Sequence, residues 1–124
     1  MLPEKFLRVL EHEGVVAIAT RGLNGDPHLV NTWNSYVLIT TDMQLLIPAG
    51  GMQRTEENLS KRNSVLLTAG SRQVEGKHGP GTGFLIAGTA QFLSAGTEYD
   101  MIKVKFPWAR AALKVSVTKI TQTL

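Results

Sequence analysis

A chain of 124 residues holds one buried core and is too short for two ordinary ones, and its 43% apolar and 19% charged content is that of a globular domain, not a disordered or collagen-like segment. The absence of cysteine excludes disulfides, thiolate-held zinc or iron–sulfur centres and a cysteine nucleophile, so any redox chemistry must reside in a bound cofactor. Thirteen basic residues against ten acidic ones leave a net charge of +3, which suits an anionic ligand but is too weak for a nucleic-acid stripe.

In chain order, Pro3 to Glu13 carries Phe6, Leu7, Val9 and Leu10 at helical spacing before Gly14, which predicts a short amphipathic helix. Its charges are too frequent for a secretory signal, and no apolar run reaches the roughly 18 residues of a membrane span, so the expected location is the cytoplasm with no membrane partner. The triplet Asn58-Leu59-Ser60 then carries no glycosylation meaning. GVVAIATR, the turn-rich GLNGDP and HLVNTWNSYVLIT read as a hairpin, and QLLIP as a third strand closed by Pro48 and Gly50-Gly51. MQRTEENLSKR predicts a helix with acids early, bases late and Thr55 as N-cap. SVLLTAG is a fourth strand, SRQVEGKHGPGTG a long polar loop, and GFLIAGTAQFL a fifth strand. TEYDMIKVKF is a helix ended by Pro107, and LKVSVTKITQTL, alternating Leu113, Val115 and Val117, is a final strand. One domain over residues 1–124 is expected, mainly β: six antiparallel strands closing into a small barrel with short peripheral helices.

Several familiar chemistries fail on inventory. GPGTGF has the glycines of a dinucleotide loop but follows a loop and opens a strand, the reverse of the context that aims helix amides at a pyrophosphate. His12, His28 and His78 each lack a second ligand at helical or strand spacing, and no serine sits in a nucleophile elbow, so neither a metal nor a catalytic residue is assigned. The stretch Pro48-Ala49-Gly50-Gly51-Met52-Gln53-Arg54-Thr55 is more informative. A strand ends, two glycines remove side-chain bulk, and a helix begins with a cation and a hydroxyl at its mouth, as a phosphate monoester requires. Glu56 and Glu57 compete for the same positive end, so these residues alone fit either an anion site or an ordinary turn capped by Thr55. Asn31-Thr32-Trp33-Asn34-Ser35-Tyr36 puts polar groups on both faces of an expected strand, which a bound polar ligand would satisfy. Trp108 beside Arg110 adds an indole fit either to stack on a planar ring or to fill the core.

EGVVAIAT, HLVNTWNSY, GGM followed by a basic residue and Thr-Glu, GPGTGFLI, WARAAL and the terminal QTL occur in this order along nearly the whole chain. In this series the sequence resembles the small FMN-binding members of the split-barrel family that includes pyridoxamine-phosphate oxidases. The resemblance implies a six-stranded split barrel, a homodimer, and one noncovalent FMN per subunit near the subunit interface. It implies phosphate contacts from Gly51, Met52, Gln53, Arg54 and Thr55, flavin contacts from Asn31, Thr32 and Trp33, and backbone neighbours of the ring at Pro48, Ala49 and Gly50. Trp108, and Leu124 reaching over from the partner subunit, would cover the isoalloxazine. The family pattern has lysine where this chain has Arg54, which keeps the charge but changes the contact geometry. The basic and polar set that grips a second, substrate phosphate in the oxidases is missing, so substrate oxidation is not implied. The expectation is a cytoplasmic electron carrier working with an unidentified redox protein; a flavin reductase or oxidase admitting NAD(P)H or a small substrate at the 72–83 loop, and an FMN store, are the alternatives.

Overall fold

Runs of β-branched and aliphatic residues assemble into one antiparallel sheet in the computed structural model, which describes residues 1–124. The strands are β1 (Val15–Arg21), β2 (Pro27–Trp33), β3 (Leu38–Ile39), β4 (Leu45–Ala49), β5 (Ser64–Gly76), β6 (Gly79–Leu93) and β7 (Ala111–Gln122). Three short helices, α1 (Glu4–Leu10), α2 (Gln53–Lys61) and α3 (Thr97–Lys105), lie against it. The sheet order is β2-β1-β5-β6-β7-β4-β3. The count of six strands and the closed barrel are therefore corrected: there are seven strands, and β2 and β3 end the sheet without pairing to each other. No helix is long and apolar enough to cross a membrane.

The seventh strand arises where HLVNTWNSYVLIT breaks at Asn34. Its fully buried amide Nδ2 donates to the carbonyls of Val9 (3.1 Å), His12 (2.8 Å) and Gly70 (3.1 Å), and its backbone N–H donates to Gly14 (2.9 Å). Those contacts turn Asn34–Tyr36 into a single 3₁₀ turn before β3 begins. The long polar loop is also corrected. β5 and β6 continue through it as a hairpin, with Glu75 opposite Pro80 and Gly76 opposite Gly79, leaving Lys77 and His78 as the turn. Glycine content signals close backbone approach here: a Cβ at Gly76 would stand 2.1 Å from the Gly81 carbonyl oxygen, and Gly81 has φ +101°. Val74 inside that segment is buried and joins the core.

Alternation along β1, β4, β5, β6 and β7 sends Val16, Ile18, Leu45, Ile47, Val65, Leu67, Phe84, Ile86, Leu113 and Val115 into one core, which Phe6 and Val9 of α1 complete. The opposite face of β4 and β7 presents Leu46 and Ala112 to Ile102 and Phe106 beneath α3. Strand β4 is buried on both faces, which is why LLIPA shows no polar alternation. A Thr40–Asp42 hydrogen bond and the Gln44 N–H to Thr40 Oγ1 bond (2.9 Å) shape the turn into β4. The Thr40 hydroxyl, chiefly, holds the Asp42 carboxyl below its ordinary pKa.

Candidate functional site

The path from β4 into α2 is where backbone donors collect. Pro48 and Ala49 are buried in the strand, Gly50 and Gly51 are exposed, and Met52 takes the left-handed conformation (φ 63°, ψ 30°) as the residue capping the helix. Thr55 is thus not the N-cap expected from its hydroxyl; it is the third helical residue. The first helical hydrogen bond runs from the Glu56 N–H to Met52 O (2.9 Å), so the N–H groups of Gln53, Arg54 and Thr55 have no intrahelical acceptor. Gln53 and Arg54 are exposed, while Thr55 is 1% exposed and its Oγ1 has no hydrogen-bond partner. A buried hydroxyl without a partner is costly. Its place beside three free amides and an exposed guanidinium makes this helix mouth suited to an oxyanion.

The first-turn acid, Glu56, does not stand free at that mouth. Glu56 is held by Arg110, whose Nη1 stands 2.9 Å from Glu56 Oε1. The same guanidinium donates to the Gly51 carbonyl through Nε (3.0 Å) and Nη2 (2.7 Å). Arg110 was not singled out from the sequence as a site residue, because its partners lie 59 and 54 positions away; the register of β7 against β4, with Ala111 opposite Ala49, brings them together. Glu57 lines a polar cleft with Arg54, Asn58 and Lys61 against the β1–β2 turn, where Asn58 Nδ2 donates to Thr20 Oγ1 (3.1 Å).

A planar surface adjoins the turn. Trp108 is 53% exposed, and a Cβ placed on Gly50 would come within 3.3 Å of its indole, so glycine is what lets the ring lie over the backbone. Trp108 packs on Tyr36 (centroids 5.7 Å) and Phe106 (5.8 Å), which themselves meet at 5.1 Å. Through Tyr36 this triangle ties the chain just beyond Trp33 to the turn at Gly50. On β2, Asn31 and Trp33 face outward and Thr32 is buried, as alternation predicts up to the break at Asn34. Leu124 lies apart from this set, beside Gly76 and Gly83, with its carbonyl oxygen accepting from Thr82 Oγ1 (2.8 Å) and Gln122 Nε2 (2.8 Å). A cleft of about 560 Å³ that includes Leu124, Glu13, Arg72 and His78 shares no residue with the α2 mouth.

Helix amides, a guanidinium, a hydroxyl and an adjacent indole are the groups that a planar aromatic molecule bearing a phosphate would need. The profile described as pyridoxamine 5'-phosphate oxidase matches residues 2–123. The chain is 53% identical to the FMN-binding protein of Nitratidesulfovibrio vulgaris (strain DSM 19637 / Miyazaki F) over 124 residues, all of both chains. Among solved structures, HupZ of Group A Streptococcus superposes with a TM-score of 0.81 at 15% identity, covering 98% of this chain and 94% of that one. An FMN-binding protein from Syntrophomonas wolfei gives 0.78 at 15% identity, covering 98% and 85%. At that identity the two structures speak to the fold alone.

Proposed function

The chain belongs to the pyridoxamine 5'-phosphate oxidase family, and from that premise we propose that it holds FMN noncovalently and carries electrons between redox partners. FMN as the ligand rests on 53% identity over the full length of an FMN-binding protein and on the fit of the helix mouth. The observation that carries the placement is the partnerless hydroxyl of Thr55, buried beside exposed Arg54 and the free amides of α2. Arg54 and Thr55 hold the phosphate with the amides of Gln53 and its neighbours, Asn31 and Thr32 meet the polar edge of the ligand, and Trp33 and Trp108 flank the ring. The flavin supplies the redox chemistry; the chain binds it, orients it and limits its contact with water. Electron transfer is favoured over substrate turnover because the first-turn acid at the mouth, Glu56, is committed to Arg110. The remaining groups are amides, hydroxyls and indoles, which bind but do not shuttle a proton at neutral pH.

Arg54→Ala is expected to weaken FMN roughly tenfold or more while changing riboflavin far less, the cost of one charge-assisted phosphate contact. Equal weakening of both ligands, read by titration, would place the phosphate elsewhere. Sustained NAD(P)H consumption by the FMN-loaded protein would replace the carrier reading with an enzyme.

The working unit is proposed to be a homodimer. Register aligns Leu29, Ala19, Leu66 and Ala87 across β2, β1, β5 and β6, with Val15 and Trp33, and Ala17 and Leu85, in neighbouring rows. Leu29 is 67% exposed, and Val15, Leu66, Trp33 and Leu85 are exposed with it, an apolar face of the kind that covers itself by symmetric pairing. Asn31 and Trp33 lie on that face, so a flavin held by them would lie at the subunit interface, where the family resemblance sets the partner subunit's Leu124. Leu66→Glu, at the centre of this face, is expected to shift the protein to monomers in sedimentation or light scattering; an unchanged mass would move the interface off the sheet.

A further inference from the structure

Every nitrogen of the Arg110 guanidinium has a partner: Nε and Nη2 on the Gly51 carbonyl oxygen and Nη1 on Glu56. Its backbone N–H donates to Ala49 O (2.8 Å), and its guanidinium lies 5.6 Å from the Phe92 ring centre. The side chain is thereby oriented from three directions and does not wave freely into solvent. Two consequences reach the helix mouth. Because the peptide between Gly51 and Met52 is planar and trans, holding the Gly51 oxygen points the Met52 N–H the opposite way within that plane, next in sequence to the free amides of Gln53 to Thr55. And because Glu56 is paired, its negative charge does not stand unopposed one residue beyond Thr55.

We infer that Arg110 is the positioning residue for the phosphate: without touching the ligand, it neutralises Glu56 and sets the Gly51–Met52 peptide so that α2 can accept a dianion. The inference rests on the phosphate reading of the α2 mouth given above. It explains how a helix beginning with an acid in its first turn, normally a competitor for the positive end, serves as an anion site. The fork geometry matters: a lysine could meet the carbonyl or the carboxylate, whereas the guanidinium meets both at once.

The test is a double-mutant cycle on the intact protein, with FMN and riboflavin affinities measured for wild type, Arg110→Gln, Glu56→Gln and the pair. Arg110→Gln is expected to weaken FMN about tenfold and riboflavin about twofold at most, since only the phosphate feels the released carboxylate. In the double variant part of the FMN loss is recovered, because the repelling charge is gone while the Gly51 carbonyl stays unheld. Glu56→Gln alone leaves the bonds to Gly51 in place and is expected to keep or raise the FMN-to-riboflavin affinity ratio. Equal loss of both ligands in Arg110→Gln, no recovery in the double variant, or a fall in the ratio for Glu56→Gln each overturns the inference and leaves Arg110 a scaffold residue. If Arg110→Gln does not fold, the Glu56→Gln ratio still decides. Wild-type protein that binds FMN no more tightly than riboflavin is a different failure, that of the phosphate site itself.

Discussion

Asn34→Leu is expected to lower the unfolding free energy by ~3 kcal/mol, since a buried amide that satisfies several acceptors is replaced by a side chain that satisfies none. The two N–H bonds of the Asn34 amide are shared among the carbonyls of Val9, His12 and Gly70, which belong to the end of α1, the segment after it and β5. Leucine has the same branching, so no cavity opens; the loss is that of the hydrogen bonds and of the fit of methyl groups against three carbonyl oxygens, less the relief of Asn34 Oδ1, which is buried without a partner. The site cannot relax easily: a Cβ at Gly14 would already lie 2.6 Å from the Gly70 oxygen and 2.7 Å from the Asn34 amide nitrogen. Urea denaturation of the flavin-free protein reads the effect as a lower midpoint with an unchanged slope. Ser35→Ala is the control, because the Ser35 bond to Glu13 is exposed and stays within about 0.5 kcal/mol. A midpoint for Asn34→Leu equal to that of Ser35→Ala would show that α1 is held by its apolar face alone.

Thr55→Val separates binding from stability with effects of opposite sign. Valine keeps the shape of threonine and removes a buried hydroxyl that has no hydrogen-bond partner within the chain. The free protein is expected to gain up to ~1 kcal/mol, from the relief of an unsatisfied polar group. FMN affinity is expected to fall about tenfold, because the hydroxyl is one of the groups that the proposal sets against the phosphate. Riboflavin, which lacks the phosphate, should bind as before. Thermal unfolding without flavin and titration with each flavin give the two readings. A variant less stable than wild type, or one that loses riboflavin as much as FMN, would mean that the hydroxyl serves the fold and not the ligand.

Most of the strands were legible because their periodicity is strong: Leu113 and Val115 alternate inward on β7, and Val16 and Ile18 on β1. What composition alone misread was decided by partners far along the chain. The stretch from Ser71 to Gly83 is polar and glycine-rich, yet it pairs as a hairpin because those glycines let two backbones approach. Asn34 looks like one more strand residue until α1 and β5 supply the carbonyls that pull its amide inward. The phosphate reading of Gly50 to Thr55 was visible as residue types, but the answer to its main objection, the acid at Glu56, was not. That answer is Arg110, and nothing local ties the two.

Strand β7 carries a further implication, for the order in which the molecule can be assembled. The sheet order places it between β6 and β4, so β4 and β3 join the rest of the sheet only through residues 111–122. Strand β4 emerges early in synthesis, yet its ladder partners Ala111, Ala112 and Leu113 are made half a chain or more later. On the ribosome β1, β2, β5 and β6 can pair as neighbouring hairpins while β4 waits with a bare edge. Such delayed, sequence-distant closure slows folding and leaves an apolar strand exposed to other nascent chains. The turn at Gly50, where the flavin is proposed to sit, would then be the last part of the molecule to mature, and the flavin would enter a nearly finished fold.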